Sequence, residues 1–221
     1  MTLTEQGHDV VAVARAWAPQ VADHRFLARD LGRMTGPQIG ALLTEERADA
    51  VVNASGTWNR SLEDLDYAHV TVPRLITEGV AAAGGSPRLV HIGTIHEYGP
   101  VPHGTVIDEQ HATRPEAPYA RAKLTGTRTV LGAAEAGRVD AVVLRVANAF
   151  GPFPSPKSFF GTLVARLLTT APKETIELTL APHTATMSTP GTSPTPWAGP
   201  CAAARTSADK WSTSAAERPW T

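Results

Sequence analysis

Tyr119 and Lys123 stand four residues apart in the segment PYARAKL (118–124). Pro118 suits the first turn of a helix, and residues four apart leave a helix on the same face. A phenol, with a reference pKa of about 10, is a poor acid or base at neutral pH, but a nearby ammonium favours its ionised form and lowers that pKa. Thr94 precedes Tyr119 by 25 residues, at the end of the apolar run RLVHIGT (88–94). If that run is a parallel strand, the threonine hydroxyl sits at its carboxyl end, where open α/β sheets hold their ligands. The chemistry this suggests is proton transfer by a helix-borne tyrosine beside a lysine and a strand-end hydroxyl.

The elements needed to position these groups are present. The runs DVVAVA (9–14), ADAVVNAS (48–55), RLVHIGT (88–94) and DAVVLRVAN (140–148) are nearly continuously apolar, as parallel strands covered on both faces should be. Between them, GPQIGALLTEER (36–47), the 62–83 stretch and PYARAKLTGTRTVLGAAEAG (118–137) read as helices. Strand and helix alternating at this rhythm give βαβ units and a doubly wound parallel sheet.

Composition narrows the function classes. Lys plus Arg (20) balances Asp plus Glu (21) in 221 residues, which argues against a nucleic-acid or polyanion partner. No apolar run approaches the roughly 18 residues of a spanning helix, and the first 20 residues lack the layout of a secretion signal. The expectation is a cytoplasmic protein without a membrane partner. The single cysteine, Cys201, makes neither an internal disulfide nor a cysteine metal site, and His91 and His96 lack the spacing of a helical metal motif. No metal is expected.

Four segments, VVNASG (51–56), VHIGTIHEYGP (90–100), PYARAKL (118–124) and LRVANAFGP (144–152), resemble in order and spacing the extended short-chain dehydrogenases/reductases, also called the NAD-dependent epimerase/dehydratase family. The resemblance covers roughly residues 7–182 and implies a Rossmann-like sheet, a nicotinamide cofactor and a nucleotide-sugar substrate. It casts Tyr119 as the group that protonates a carbonyl oxygen, Thr94 as a hydrogen-bond partner of the same oxygen, and Lys123 as the ammonium that also holds the nicotinamide ribose. Asp30 resembles the family's contact to adenine, and Asn53, Ala54 and Ser55 the loop beside the pyrophosphate and ribose. Where NAD enzymes of this type place an acidic residue, Ala14 and then Arg15 stand here. A guanidinium suits the 2′-phosphate of NADPH, although Arg15 also reads as a surface arginine closing a strand.

The 4,6-dehydratases of the family carry Asp-Glu directly after the threonine, whereas this chain has Ile95 and His96. Isoleucine transfers no proton, which disfavours dehydration. His96 is open to two readings, an auxiliary acid facing substrate or a solvated loop histidine. Asn148 would face the sugar or its diphosphate, or else satisfy strand-end backbone. The segment 91–128 looks most like 4-ketoreductases that reduce dTDP-4-keto-6-deoxyhexoses in the making of antibiotics and other natural products. The alternatives are an epimerase of the same superfamily and a non-catalytic fragment. Relatives often pair through the helix carrying the tyrosine and lysine, which allows a homodimer.

Both ends depart from the family pattern. The first strand and its glycine-rich turn are not recognisable, and no GxGxxG occurs. The missing strand would lie between the 9–14 and 48–55 strands. Residues 1–182 therefore read as an incomplete dinucleotide-binding domain with the start of a substrate lobe, and 183–221 as a low-complexity, disordered tail. Shifted back-translation of ATMSTPGTSPTPW (185–197) gives RDYVDARDVADAV, and of KWSTSAAERPWT (210–221) gives VVNIGGGTAVD, both family-like. The expectation is a frame change near His183 or Thr184, in a chain that binds NADPH weakly or not at all and folds poorly. Resequencing the gene tests the frame change: the alternative frame should encode these motifs, and a sequence without them refutes it.

Overall fold

The computed structural model describes residues 3–102, 104–149, 155–169 and 187–188. They form two compact units, one up to Val146 and one from Ala147 onward. In the first, strand β1 (Val11–Ala14) pairs in parallel with β2 (Arg25–Ala28). A second parallel sheet has the order β3 (Ala50–Asn53), β4 (Arg88–Thr94), β5 (Ala141–Val146). Among the described residues no ladder joins the two sheets. The result is a parallel, Rossmann-like α/β fold.

Helix α1 (Gly36–Glu45) opens on a capping box, with Thr35 and Gln38 bonding each other's backbone N–H groups. Helix α4 (Pro118–Glu135) begins on the proline that marks its first turn. The stretch 62–83 departs from the single helix expected. It consists of α2 (Leu62–Asp66), a π turn (Tyr67–Thr71) and α3 (Val72–Ala82). Pro73 accounts for the interruption. It has no N–H to donate and its ring crowds the carbonyl four residues back, that of His69, so the helix widens by a residue there.

The core joins α3, β4, α4 and β5 through Val72, Ile76, Val80, Leu89, Val130 and Val143. β4 is the spine, with β3 on one side and β5 on the other. The expected covering of every strand on both faces does not hold throughout. No residue of β1 is buried, and Val52 on β3 remains 47% exposed. Among the described residues each of these strands is paired along one edge only, β1 with β2 and β3 with β4, which leaves the other edge without a strand to pack beside. The Arg25–Ala28 strand is an addition to the expected set, seen only through its pairing with β1.

The second unit contains β6 (Asn148–Ala149), which pairs in parallel with β7 (Met187–Ser188), and α5 (Phe159–Thr169). Of the 183–221 stretch, all but Met187 and Ser188 lies outside the described residues. No helix among the described residues is long and apolar enough to cross a membrane.

α4 approaches the π turn so closely that a Cβ on Gly126 would lie 2.2 Å from the His69 carbonyl oxygen. Gly126→Ala should therefore destabilise the chain by about 1–3 kcal/mol, as overpacking does, read as a lower urea midpoint at unchanged slope.

Candidate active site

Thr94 is the last residue of β4 and faces Val146, the last of β5, in the ladder register. The carboxyl ends of the two strands are therefore level there, and the chain leaves β4 into a tight 3-10 turn, Ile95–Tyr98. The turn is held by Glu97, which is fully buried. Its Oε1 accepts from the Thr94 backbone N–H at 2.9 Å and from the Thr127 hydroxyl at 3.0 Å. Its Oε2 accepts from Arg145 Nε at 2.7 Å. Arg145 in turn donates to the Tyr98 hydroxyl at 3.2 Å and lies over that ring at 4.9 Å. One carboxylate thus binds the end of β4, the middle of α4 and β5. Gly93 leaves room for it, because a Cβ there would meet Glu97 Oε1 at 2.8 Å.

α4 delivers Tyr119 and Lys123 to this strand end, as their spacing requires. Lys123 is buried, and its Nζ donates to the Ile92 carbonyl at 2.7 Å. Tyr119 is half-buried, with His96, exposed, at a ring distance of 6.4 Å. Thr94, Tyr119, Lys123 and His96 are thus brought together.

The electrostatics differ from the expected depression of the phenol pKa by the ammonium. Burial raises the Tyr119 pKa above the ordinary tyrosine value, a hydrogen-bonding interaction with Thr94 pulls it down, and the charge of Glu97 pushes it up. Lys123 is shifted down, by burial first, with Glu97 opposing. The physical reason is desolvation. Both groups sit where a charge loses water, and the ammonium is directed to a backbone carbonyl.

Asn53 is buried and its side chain is committed inward. It contacts His91 Nδ1 at 3.0 Å and accepts from the Ser55 backbone N–H at 3.1 Å and hydroxyl at 2.7 Å. It shapes the turn after β3, leaving Ala54 exposed and Ser55 half-buried at the strand's carboxyl end. At the end of β1, the Arg15 guanidinium lies over the Tyr67 ring at 5.7 Å. The Tyr67 hydroxyl donates to Asp30, which also pairs with Arg33 at 3.5 Å. Arg15 and Asp30 therefore meet around one tyrosine. Asn148 belongs to β6 in the second unit, and its side chain lies outside the described residues.

These residues fit the two ends of a dinucleotide. An exposed guanidinium and a carboxylate follow β1 and β2, and a lysine, a tyrosine and a threonine stand at the end of β4, all at carboxyl ends of parallel strands.

Sequence reasoning missed Glu97 and Arg145 as the clamp on the strand end, Tyr67 as the link from Arg15 to Asp30, and the buried imidazoles of His69 and His91. For His69 a signal existed: a proline four residues later in a helical stretch. Each imidazole is 2% exposed, and three of their four ring nitrogens have no partner among the described residues. Burial first, and the Lys123 charge second, lower each pKa from 6.5 to about 4.

Since an unfolded histidine titrates near 6.5 and these two titrate at about 4 when folded, the unfolded chain binds more protons between those limits. Stability should therefore fall as pH drops from about 6.5 to about 4, by a few kcal/mol per group, and the loss should level off below that range. Urea unfolding across this range, compared with the His69→Phe, His91→Leu double variant, checks it: the variant should show the flatter profile.

The model of the NAD dependent epimerase/dehydratase family matches residues 1–187. The dTDP-6-deoxy-L-talose 4-dehydrogenase (NAD(P)(+)) of Kitasatospora kifunensis is 40% identical over 185 residues, 83% of this chain and 58% of that protein. The dTDP-glucose 4,6-dehydratase of Streptomyces niveus is 40% identical over 70 residues, 32% of this chain and 20% of that one. MoeE5, solved with UDP-glucose and NAD, superposes with a TM-score of 0.64 at 24% identity, covering 74% of this chain and 54% of that one. The UDP-glucuronic acid 4-epimerase of Bacillus cereus, solved with NAD, does so with a TM-score of 0.62 at 18% identity, covering 75% and 57%. The chain thus spans little more than half the length of the Kitasatospora protein. With its parallel sheet, its strand-end threonine and its helix-borne tyrosine and lysine, the chain belongs to the NAD-dependent epimerase/dehydratase family.

Proposed function

We propose that the protein from which this chain derives is an NADPH-dependent 4-ketoreductase acting on a dTDP-4-keto-6-deoxyhexose, in the making of deoxysugars for antibiotics and related natural products. The observation that carries the reading is the end of β4. There Thr94, Tyr119 and Lys123 converge, and the residue after the threonine is Ile95, which holds no proton to transfer. Elimination of water needs an acid and a base beside the sugar, whereas carbonyl reduction needs one proton donor and an oriented oxygen. The similarity to a dTDP-sugar 4-dehydrogenase that takes NAD(P)(+) supports the same reaction written in the opposite direction.

Tyr119 gives its hydroxyl proton to the carbonyl oxygen, and Thr94 donates a hydrogen bond to the same oxygen and fixes its position. Lys123 holds the nicotinamide ribose and stabilises the phenolate left behind. When bound, the nicotinamide supplies the hydride. His96, exposed beside Tyr119, faces the sugar, and Asn148 its diphosphate. Arg15 recognises the adenosine 2′-phosphate, with Asp30 on the adenine and Asn53, Ala54 and Ser55 along the ribose and pyrophosphate. The enzyme works in the cytoplasm, and a homodimer through the α4 side is part of the same reading. Residues 183–221 are read as frame-shifted, in keeping with a family match that ends at residue 187.

The test is the protein expressed with its reading frame restored after His183, supplied with NADPH and a dTDP-4-keto-6-deoxyhexose. Stoichiometric loss of NADPH absorbance is expected. Tyr119→Phe should lower kcat by about 10²- to 10⁴-fold. Arg15→Ala should raise KM for NADPH by about 10- to 100-fold, the worth of a charge-assisted hydrogen bond, and leave KM for NADH unchanged. Interconversion of C4 epimers without net NADPH use would establish the epimerase instead.

A further inference from the structure

Tyr67 takes no part in the proposed proton transfer, yet it holds two groups at once. The Arg15 guanidinium lies over its ring, 5.7 Å from the centroid, and its hydroxyl donates to Asp30. The tyrosine comes from the π turn, whereas Arg15 follows β1 and Asp30 lies just beyond β2. Gly32, in the 3-10 turn that Asp30 opens, makes room for the ring: a Cβ there would lie 2.3 Å from it. Any larger residue at position 32 would displace the tyrosine from under Arg15.

The charges around this ring are shared out unevenly. Asp30 is answered twice, by the Tyr67 hydroxyl and by Arg33 at 3.5 Å. Arg15 is exposed, and among the described residues it pairs with no carboxylate. A cation–π contact engages the charge of a guanidinium and occupies no acceptor, so its N–H groups are not spent on another side chain. The arginine is thus restrained by a ring and still free to bind an anion.

We propose that Tyr67 is a positioning residue for Arg15 and thereby sets the preference for an adenosine that carries a 2′-phosphate. Its ring holds the guanidinium at the end of β1, and its hydroxyl ties up the Asp30 carboxylate that would otherwise neutralise that guanidinium. The proposal rests on Arg15 being the 2′-phosphate contact. An arginine side chain loses rotamer freedom when a ligand fixes it, and a ring that already restrains it reduces that loss. A phosphate, which binds the guanidinium through charge-assisted hydrogen bonds, gains from this far more than a 2′-hydroxyl does. The two roles are separable: Tyr67→Phe keeps the ring and removes the hydroxyl, and Tyr67→Leu removes both.

The test uses the full chain and needs no turnover. Nitrogen-15 spectra titrated with adenosine 2′,5′-bisphosphate and with adenosine 5′-monophosphate read affinities into the millimolar range, and the ratio of the two is the preference. Arg15→Ala should abolish that preference. Tyr67→Leu should narrow it about fivefold, the worth of one exposed cation–π contact. Tyr67→Phe should keep it while weakening both nucleotides alike. A folded Tyr67→Leu chain whose preference is unchanged, while Arg15→Ala removes it, overturns the proposal alone and leaves Tyr67 as packing. An unmodified chain with no preference, including one that binds neither nucleotide, overturns the Arg15 reading and the proposal together.

If Tyr67→Leu does not fold, the Arg15 methylene protons of the unmodified chain decide. An upfield ring-current displacement that persists with the bisphosphate bound supports the proposal, and ordinary positions, or a displacement lost on binding, overturn it. The frame-restored protein is titrated in parallel, and the same outcomes decide there. Its turnover is scored apart. Failure to reduce a 4-keto sugar retires the reductase reading and leaves the coupling of Tyr67 to Arg15 standing, whereas turnover with an unchanged Tyr67→Leu preference does the reverse.

Discussion

The carboxylate of Glu97 is the fixed point of the site. It is fully buried, yet both oxygens are occupied, by a backbone N–H of β4, a hydroxyl of α4 and a guanidinium of β5. A buried ion in this position is costly unless each lone pair is answered, and breaking such a pair by removing one partner typically costs about 3–5 kcal/mol. The same three bonds set the register between the strand end that carries Thr94 and the helix that carries Tyr119 and Lys123. What looks like a stabilising salt bridge is better understood as a device for geometry. Its geometric value is to hold a hydroxyl, a phenol and an ammonium from two separate elements at one strand end.

That clamp also shapes the electrostatics. Glu97 raises the Tyr119 pKa and opposes the fall of the Lys123 pKa, so it keeps the pair closer to neutral phenol and charged amine. For the proposed carbonyl reduction that is the useful protonation state, since a phenol that donates must begin with its proton. Burial favours the same phenol and works against the amine. The structure thus divides the electrostatic work: desolvation favours the protonated form of Tyr119, and Glu97 favours the charged form of Lys123.

Much of this was legible in the residues. The run RLVHIGT coincides with β4 because a largely apolar stretch follows Pro87 and ends at a capping threonine. Tyr119, Lys123 and Thr94 were legible because helix periodicity and strand polarity are local rules. β2 was not: Arg-Phe-Leu-Ala is four residues with no β-branched side chain, and it exists as a strand through its pairing with β1. The Glu97–Arg145 pair spans 48 positions and has no local signature. The lowering of the phenol pKa expected from a neighbouring lysine failed for a related reason. Proximity along the helix says nothing about how much water each group loses.

The π turn holds a consequence of another kind. Tyr67, which binds Asp30 and lies under Arg15, and His69, which meets Tyr119, belong to the same widened turn. A π turn is an α-helix with one residue inserted, and each α-helical residue advances the chain by about 100°. Removing one residue between Tyr67 and Thr71 would restore regular winding and swing the preceding segment by that angle around the axis. The contacts of Tyr67 with Asp30 and Arg15 would then no longer be in phase with the contact between His69 and Tyr119. In such a lineage the length of this turn is a counting constraint: substitutions can accumulate within it, but single-residue deletions cannot.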